Sequence, residues 1–201
     1  MRKTKEDTEL SRQKILTAAE EVFCTKGYSG AKMTEIAKMT GMTKGAIFWH
    51  FESKAGLYQA VNARSLARLN EIIATVFATS DPIMEKFRKA LLLLKKDRAF
   101  EILISLGDAS DTTIPHEIAM EVHKGISAVL ETARHILEEA KKRGELKSDT
   151  DVFEILSPLI LMMSGFEKMN DVKNILGNLG SKINGETAID TIFKGLYSFQ
   201  K

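Results

Sequence analysis

The sequence has few of the residues that mark exported, disulfide-linked or membrane-spanning proteins. Cys24 is the only cysteine among 201 residues, which excludes an internal disulfide and a cysteine-rich zinc site. Residues 2–14 are charged throughout and contain no apolar export segment. The longest run without a charged residue, 155–166, is shorter than the roughly 18 residues that a membrane-spanning helix needs. We therefore expect a soluble, cytoplasmic protein with no membrane partner.

Neither basic nor acidic residues predominate over the whole chain, but the two kinds are unevenly distributed along it. The formal net charge is only +2, from 29 Lys and Arg against 27 Asp and Glu. Residues 1–64 hold 11 basic and 7 acidic residues, so the basic excess lies in the first third. A chance excess would explain this, but it also fits an anionic partner such as nucleic acid.

The residue pattern predicts an all-α protein of about nine helices. Only three residues are proline, and apolar residues recur at helical spacing. A helix over residues 9–26, with Ile15 and Ala19 on its buried face, is followed by Gly27 as its stop. Short helices over 33–39, with Ile36 facing inward, and over 44–50, with Thr43 as N-cap, flank Gly41. Two short helices joined by a glycine turn are the helix-turn-helix arrangement. Longer helices are predicted over residues 54–78, 82–96, 98–106, 115–143, 150–166 and 186–199. Asp81 is expected to cap the helix over 82–96, and Asp149 or Thr150 the helix over 150–166.

The segment RQKILTAAEEVFCTKGYSGAKMTEIAKMTGMTKGAIFWHFESKAGLYQAV, residues 12–61, resembles the DNA-binding domain of TetR-family transcriptional regulators. The resemblance rests on spaced elements, including Gly27-Tyr28, Ile36-Ala37, Lys44-Gly45 and Ser53-Lys54. It implies an N-terminal three-helix DNA-binding domain over 9–69, with the helix-turn-helix motif at 32–51. Residues 70–201 would then form a helical ligand-binding and dimerisation domain.

The second helix of such a motif enters the major groove of DNA with its N-terminal end. Ile47 and Phe51 are four residues apart and are expected to face the core, which directs Trp49 outward unless it is a core tryptophan. Gly45 and Ala46 would let the backbone approach the bases, although Gly45 is alternatively a tolerated helix defect. The residues expected at the DNA are Lys32, Thr34, Thr43, Lys44, Gly45, Ala46, Phe48, Trp49, His50 and Lys54.

The sequence departs from the family pattern at two of these positions. Phe48 stands where the family often has a tyrosine whose hydroxyl contacts a phosphate. Lys32 stands where a threonine or serine usually caps the first helix of the motif, and lysine is a poor N-cap. These departures leave open a second hypothesis, a helical interaction module that has lost DNA binding.

The C-terminal part is expected to form a homodimer and to bind a small-molecule effector. The helix over 150–166 is apolar nearly all round, so it must be buried on two sides, by its own core and by a partner. The resemblance also implies a dimer of this helix and the last one. The predicted dimer contacts are Leu156, Leu159, Met163, Ile189, Phe193 and Leu196. A large monomeric core is the alternative.

The resemblance further implies an effector cavity, for which Phe77, Phe87, Phe100, Met120 and His123 are candidate contacts. The alternative is that the first four are plain core residues and that His123 is simply exposed on its helix. No phosphate loop, nucleophile motif or metal-ligand set is present, so we expect neither an enzyme nor a bound cofactor. The prediction is a homodimeric repressor that binds a palindromic double-stranded DNA operator and is released by a small molecule.

Overall fold

The computed structural model describes residues 5–97, 112–167 and 184–200, and these ranges are almost entirely helical. The α-helices in these ranges are α1 (Lys5–Gly30), α2 (Met33–Thr40), α3 (Lys44–Phe51), α4 (Lys54–Phe77), α5 (Ile83–Lys96), α6 (His116–Lys142), α7 (Val152–Glu167) and α8 (Gly185–Leu196). The predicted all-α class is confirmed. The helix predicted over residues 98–106 lies outside the described residues.

The chain divides into two compact units. The N-terminal unit contains residues 5–68 together with 112–124, and the C-terminal unit contains residues 69–97, 125–167 and 184–200. The predicted domain boundary after residue 69 stays a prediction. None of the helices in the described part combines the length and the apolar character that crossing a lipid bilayer requires.

The N-terminal unit is held by an apolar core to which each of its first four helices contributes. Ile15 and Ala19 of α1, Ile36 of α2, Ile47 of α3 and Leu57 of α4 are each completely buried. The helical spacing in the sequence predicted the first four of these as core residues, and this is confirmed. Gly27 has a backbone φ of 66°, which interrupts the regular helix of α1 at the predicted stop.

A buried ion pair joins α1 to α4 beside this core. Glu20 is only 6% exposed, and its Oε1 accepts from Arg64 Nε at 2.8 Å and lies 2.6 Å from Arg64 Nη2. Arg68 Nη1 is 3.7 Å from the same oxygen. A buried charge without its partner is strongly destabilising, so this pair fixes the register of α1 against α4.

The corner between α3 and α4 is a tight turn that only a small residue at position 56 permits. Ser53 N–H donates to the Phe51 carbonyl at 2.6 Å, and Glu52 takes a positive φ of 60°, which is rare for a residue with a side chain. Ser53 Oγ then accepts from Gly56 N–H at 2.9 Å and so caps α4. A Cβ at Gly56 would lie 2.4 Å from the Phe51 carbonyl oxygen.

The C-terminal unit is organised around α8, which packs against α5 and α7. Ile189 and Phe193 of α8 and Ile155 of α7 are completely buried in a single apolar core. At its edge, Arg88 Nη2 lies 2.7 Å from Asp190, and Tyr197 Oη donates to Glu85 at 2.7 Å. Burial raises the pKa of the Tyr197 hydroxyl to about 12, and the hydrogen bond to Glu85 adds to the shift.

Some helix ends differ from those predicted. Helix α5 begins at Ile83 with Pro82 as its N-cap, and Asp81 accepts from Thr79 and Lys89 instead of capping the helix. The first turn of α7 is capped by Asp151, whose Oδ1 accepts from Phe153 N–H at 3.0 Å, and not by Asp149 or Thr150. The last α-helix ends at Leu196 and a 3₁₀ turn, Tyr197–Phe199, follows it. Only in α7 does a neighbouring side chain supply the cap; elsewhere the ends differ by a few residues because the terminal turns of a helix lack part of their intrahelical hydrogen bonds.

We predict that Gly56→Ala lowers the free energy of unfolding by about 1–3 kcal/mol. The added Cβ would clash with the Phe51 carbonyl oxygen, which can move only if the backbone shifts. Denaturant unfolding of the purified variant measures this. Gly45→Ala is the matched control, since a Cβ there meets only Thr43 Oγ1 at 3.9 Å. An equal loss in both variants would mean that the α3–α4 corner is not under this constraint.

Candidate nucleic-acid interface

The turn between α2 and α3 is fixed by hydrogen bonds on both sides. Gly41 adopts a left-handed conformation with φ 68°, which ends α2, and Met42 N–H donates to the Ala37 carbonyl at 3.1 Å. Thr43 then caps α3, because its Oγ1 accepts from Ala46 N–H at 3.1 Å. Thr43 was predicted as this N-cap, and the prediction is confirmed. The geometry is that of a helix-turn-helix motif.

Helix α3 divides into an inner and an outer face. Ile47 is 0% and Phe51 6% exposed, whereas Trp49 is 71% exposed. The predicted orientation of these three side chains is therefore confirmed, and Trp49 is not a core tryptophan. Its indole packs edge-on against the His50 imidazole, with ring centroids 4.7 Å apart.

The N-terminal end of α3 is open to solvent. Thr43, Lys44 and Gly45 are exposed, and Ala46, Phe48 and His50 are partly buried. The Lys44 ammonium lies 5.4 Å from the centroid of the Phe48 ring. An exposed cation and two small residues at the start of α3, with the Phe48 ring beside the cation, suit phosphate contact and base contact in the major groove. These DNA contacts stay predictions.

Two further predicted contacts lie at the start of α2. Lys32 precedes the helix in an extended conformation and makes no side-chain cap, as expected for lysine at this position. Lys32 and Thr34 are both exposed. Glu35 pairs with Lys26, and this hydrogen bond lowers the pKa of the Glu35 carboxyl.

Lys54 makes contacts within the chain that its sequence position did not suggest. It is the first residue of α4, and its ammonium donates to the Ser29 carbonyl at 3.3 Å. The same ammonium lies 4.6 Å from the centroid of the Tyr28 ring. The expectation that Lys54 lies at the DNA did not include these two partners, because they lie 25 and 26 residues away along the chain.

Sequence reasoning also missed Arg12. Its guanidinium stacks over the Phe51 ring, with Cζ 5.3 Å from the ring centroid. This contact adds a positive charge from α1 beside the end of α3. Periodicity gives no signal for it, since Arg12 is one of many charged residues on the outer face of α1.

The predicted effector contacts are not gathered in one unit. Phe77 and Phe87 pack edge to face in the C-terminal unit, with ring centroids 5.0 Å apart. Met120 is 55% exposed, and His123 is also exposed, on the part of α6 that belongs to the N-terminal unit. Phe100 lies outside the described residues. The effector role of these residues stays a prediction.

The structure revises the predicted dimer contacts. Five of the six residues are at most 5% exposed inside the chain's own core, and the sixth, Met163, packs partly buried against it; the five are Leu156, Leu159, Ile189, Phe193 and Leu196. Among the side chains of α7 that the structure describes, the large apolar ones that are exposed are Phe153, at 57%, and Leu161, at 73%. Periodicity showed two apolar faces on this helix, but it did not show which one the chain itself covers.

Comparison with known proteins agrees with the helix-turn-helix geometry. The profile of the bacterial regulatory proteins of the tetR family matches residues 15–61. The HTH-type transcriptional repressor BepR of Brucella suis biovar 1 is 28% identical over 202 residues, which span 97% of this chain and 91% of the relative.

Solved structures share the fold over nearly the whole chain. A TetR-family regulator from Agrobacterium tumefaciens superposes with a TM-score of 0.77 at 16% identity, over 96% of this chain and 99% of the other. The regulator FadR of Bacillus subtilis, solved in complex with stearoyl-CoA, gives a TM-score of 0.68 at 19% identity, over 94% and 99% of the two chains.

We predict that Gly45→Ala weakens binding to duplex DNA by about tenfold. The protein has room for the added methyl group, which would instead clash with a duplex that approaches the backbone of α3. Fluorescence anisotropy with a labelled duplex measures the Kd. Gly195→Ala, at a helical glycine of the C-terminal unit with open space around it, is the control. An unchanged Kd for Gly45→Ala would show that the backbone of α3 does not approach the DNA there.

Proposed function

Because the chain belongs to the tetR family of bacterial regulatory proteins and is a DNA-binding transcriptional regulator, we propose that it is a homodimeric repressor of a palindromic operator, released by a small molecule. The observation that carries the proposal is the outward face of α3, the helix that would enter the major groove: Lys44 and Gly45 are exposed at its N-terminal end, and Trp49 is exposed further along the helix.

Electrostatics support DNA as the partner of the N-terminal unit. The basic excess of the sequence lies in residues 1–64, and Lys32, Lys44 and Lys54 surround the helix-turn-helix motif. Lysine contacts to phosphates supply affinity and register, whereas contacts of α3 to base edges supply specificity. The proposed contacts remain Lys32, Thr34, Thr43, Lys44, Gly45, Ala46, Phe48, Trp49, His50 and Lys54.

The exposed face of α7 supports dimerisation in the C-terminal unit. Phe153, Ser157 and Leu161 follow one another at intervals of four residues and are all exposed, so they lie on one side of the helix. Two large apolar residues with a small residue between them form a surface on which a second α7 would pack. A two-fold dimer presents two copies of α3, which matches a palindromic site.

Release by an effector requires only that the effector bind one conformation better than the other. The relative FadR of Bacillus subtilis is described in complex with stearoyl-CoA, which supports a small-molecule ligand for this chain. The edge-to-face pair of Phe77 and Phe87 in the C-terminal unit is the candidate apolar contact. Phe100, Met120 and His123 stay predictions from the sequence.

Selection from a random duplex library with the purified chain at a fixed salt concentration tests the DNA part of the proposal. We expect an enriched palindrome, and we expect Lys44→Ala to relax the base preference at one position of each half-site, at a cost of about 1–3 kcal/mol. Lys147→Ala, an exposed lysine of the C-terminal unit, is the control.

The same selection, repeated with protein refolded from denaturant, tests the effector part. Enrichment that appears only after refolding shows that a co-purified ligand held the released state. If neither preparation enriches a sequence, the chain does not read DNA and the proposal is wrong.

We predict that Leu161→Glu converts the dimer to a monomer, because two carboxylates would be buried against each other on the α7 face. Sedimentation velocity at about micromolar protein measures the state. Leu93→Glu is the matched control, since Leu93 is an exposed leucine of α5 in the same unit, 45% exposed. A wild-type monomer, or a Leu161→Glu variant that remains dimeric, would contradict the proposed face.

A further inference from the structure

Three aromatic rings pack together where α1 ends and α4 begins. The Tyr58 ring meets the Phe23 ring edge-on at 4.8 Å and the Tyr28 ring at 4.7 Å between centroids. Phe23 and Tyr58 are only 2% and 1% exposed, whereas Tyr28 is partly buried. The positive φ of Gly27 redirects the chain just before Tyr28. The Tyr28 ring is therefore supported from the core side.

The Lys54 ammonium lies on this ring at the first residue of α4. Its Nζ is 4.6 Å from the Tyr28 centroid and 3.3 Å from the Ser29 carbonyl oxygen. A lysine at a helix N-terminus is disfavoured, because the helix dipole is positive there. The negative face of the ring and the carbonyl dipole offset that repulsion. Together they hold a long, flexible side chain in one position.

We propose that Tyr28 is a positioning residue for DNA binding, which fixes the Lys54 ammonium where a backbone phosphate reaches the N-terminus of α4. The inference rests on the proposed function, because it assigns Lys54 to a phosphate. A helix N-terminus with a prearranged ammonium binds an anion without first having to order the lysine. The competing explanation is that Lys54 only fastens α4 to the end of α1.

A double-mutant cycle on the full chain separates these explanations. The variants are Tyr28→Leu, Lys54→Met and the double variant, and the readout is the Kd for duplex DNA over a range of salt concentrations. Lys54→Met is expected to lower the slope of log Kd against log salt by about one, because one phosphate contact is lost. Tyr28→Leu is expected to weaken binding about threefold, as the loss of a cation–π contact at a partly exposed site would.

The decisive comparison is made in the Lys54→Met background. If Tyr28 acts through Lys54, Tyr28→Leu has no further effect there. In the chain that keeps Lys54, Tyr28→Phe retains wild-type binding, because the ring is kept. If the two substitutions are additive, or if Lys54→Met leaves the salt slope unchanged, the positioning role is wrong. Lys147→Met controls for the loss of a surface charge.

A second measurement requires no DNA, and it does not depend on whether the Tyr28→Leu variant folds. The Lys54 Nζ lies over the Tyr28 ring, so the NMR resonances of the adjoining Cε protons, assigned by difference with Lys54→Met, are expected upfield of those of the exposed Lys147. If the Lys54 Cε protons instead have the chemical shifts of an exposed lysine, the contact is absent and the inference is wrong. A wild-type chain that shows the upfield shift but binds no duplex would overturn the proposed function and this role together, whereas normal DNA binding with additive variants overturns only the role of Tyr28.

Discussion

The helix-turn-helix motif depends on packing between helices that are too short to be stable alone. Helices α2 and α3 have eight residues each, well below the length at which an isolated helix is stable in water. Their inner faces are buried in the core of the N-terminal unit, to which α1 and α4 also contribute buried residues and which lies beside the buried pair of Glu20 with Arg64. The exposed residues of α3 can therefore be polar, small or aromatic as DNA binding requires, because the inner face alone holds the helix.

The need to pack these short helices against the core also explains where the backbone is strained. The corner at Glu52 combines a positive φ with a glycine at position 56 that has no room for a side chain. This turn sets the angle at which α3 leaves the core and brings the N-terminus of α4 beside it. Strain in such a turn persists only where the surrounding structure determines it, and here the fully buried Ile47 and Leu57 anchor both flanking helices.

In the C-terminal unit the apolar surface of α7 is shared between two roles. One face, with Ile155 and Leu159, fills the core of the unit, and the opposite face exposes Phe153 and Leu161. The residues on the core face are the ones whose loss would unfold the unit. The residues on the exposed face are the ones that a partner would contact. The two faces therefore have separable effects on stability and on assembly.

The sequence by itself determined the all-α class, the helix-turn-helix motif with its Thr43 cap, and the inward and outward sides of α3, since these follow from local periodicity and capping chemistry. It did not determine which apolar face of α7 meets the chain's own core, nor that Lys54 contacts Tyr28 and Ser29, nor that Arg12 stacks on Phe51. Those facts depend on residues that are distant in the chain and adjacent in space. Only the tertiary structure decides them, because the spacing of residues within one helix carries no information about which other helix lies against it.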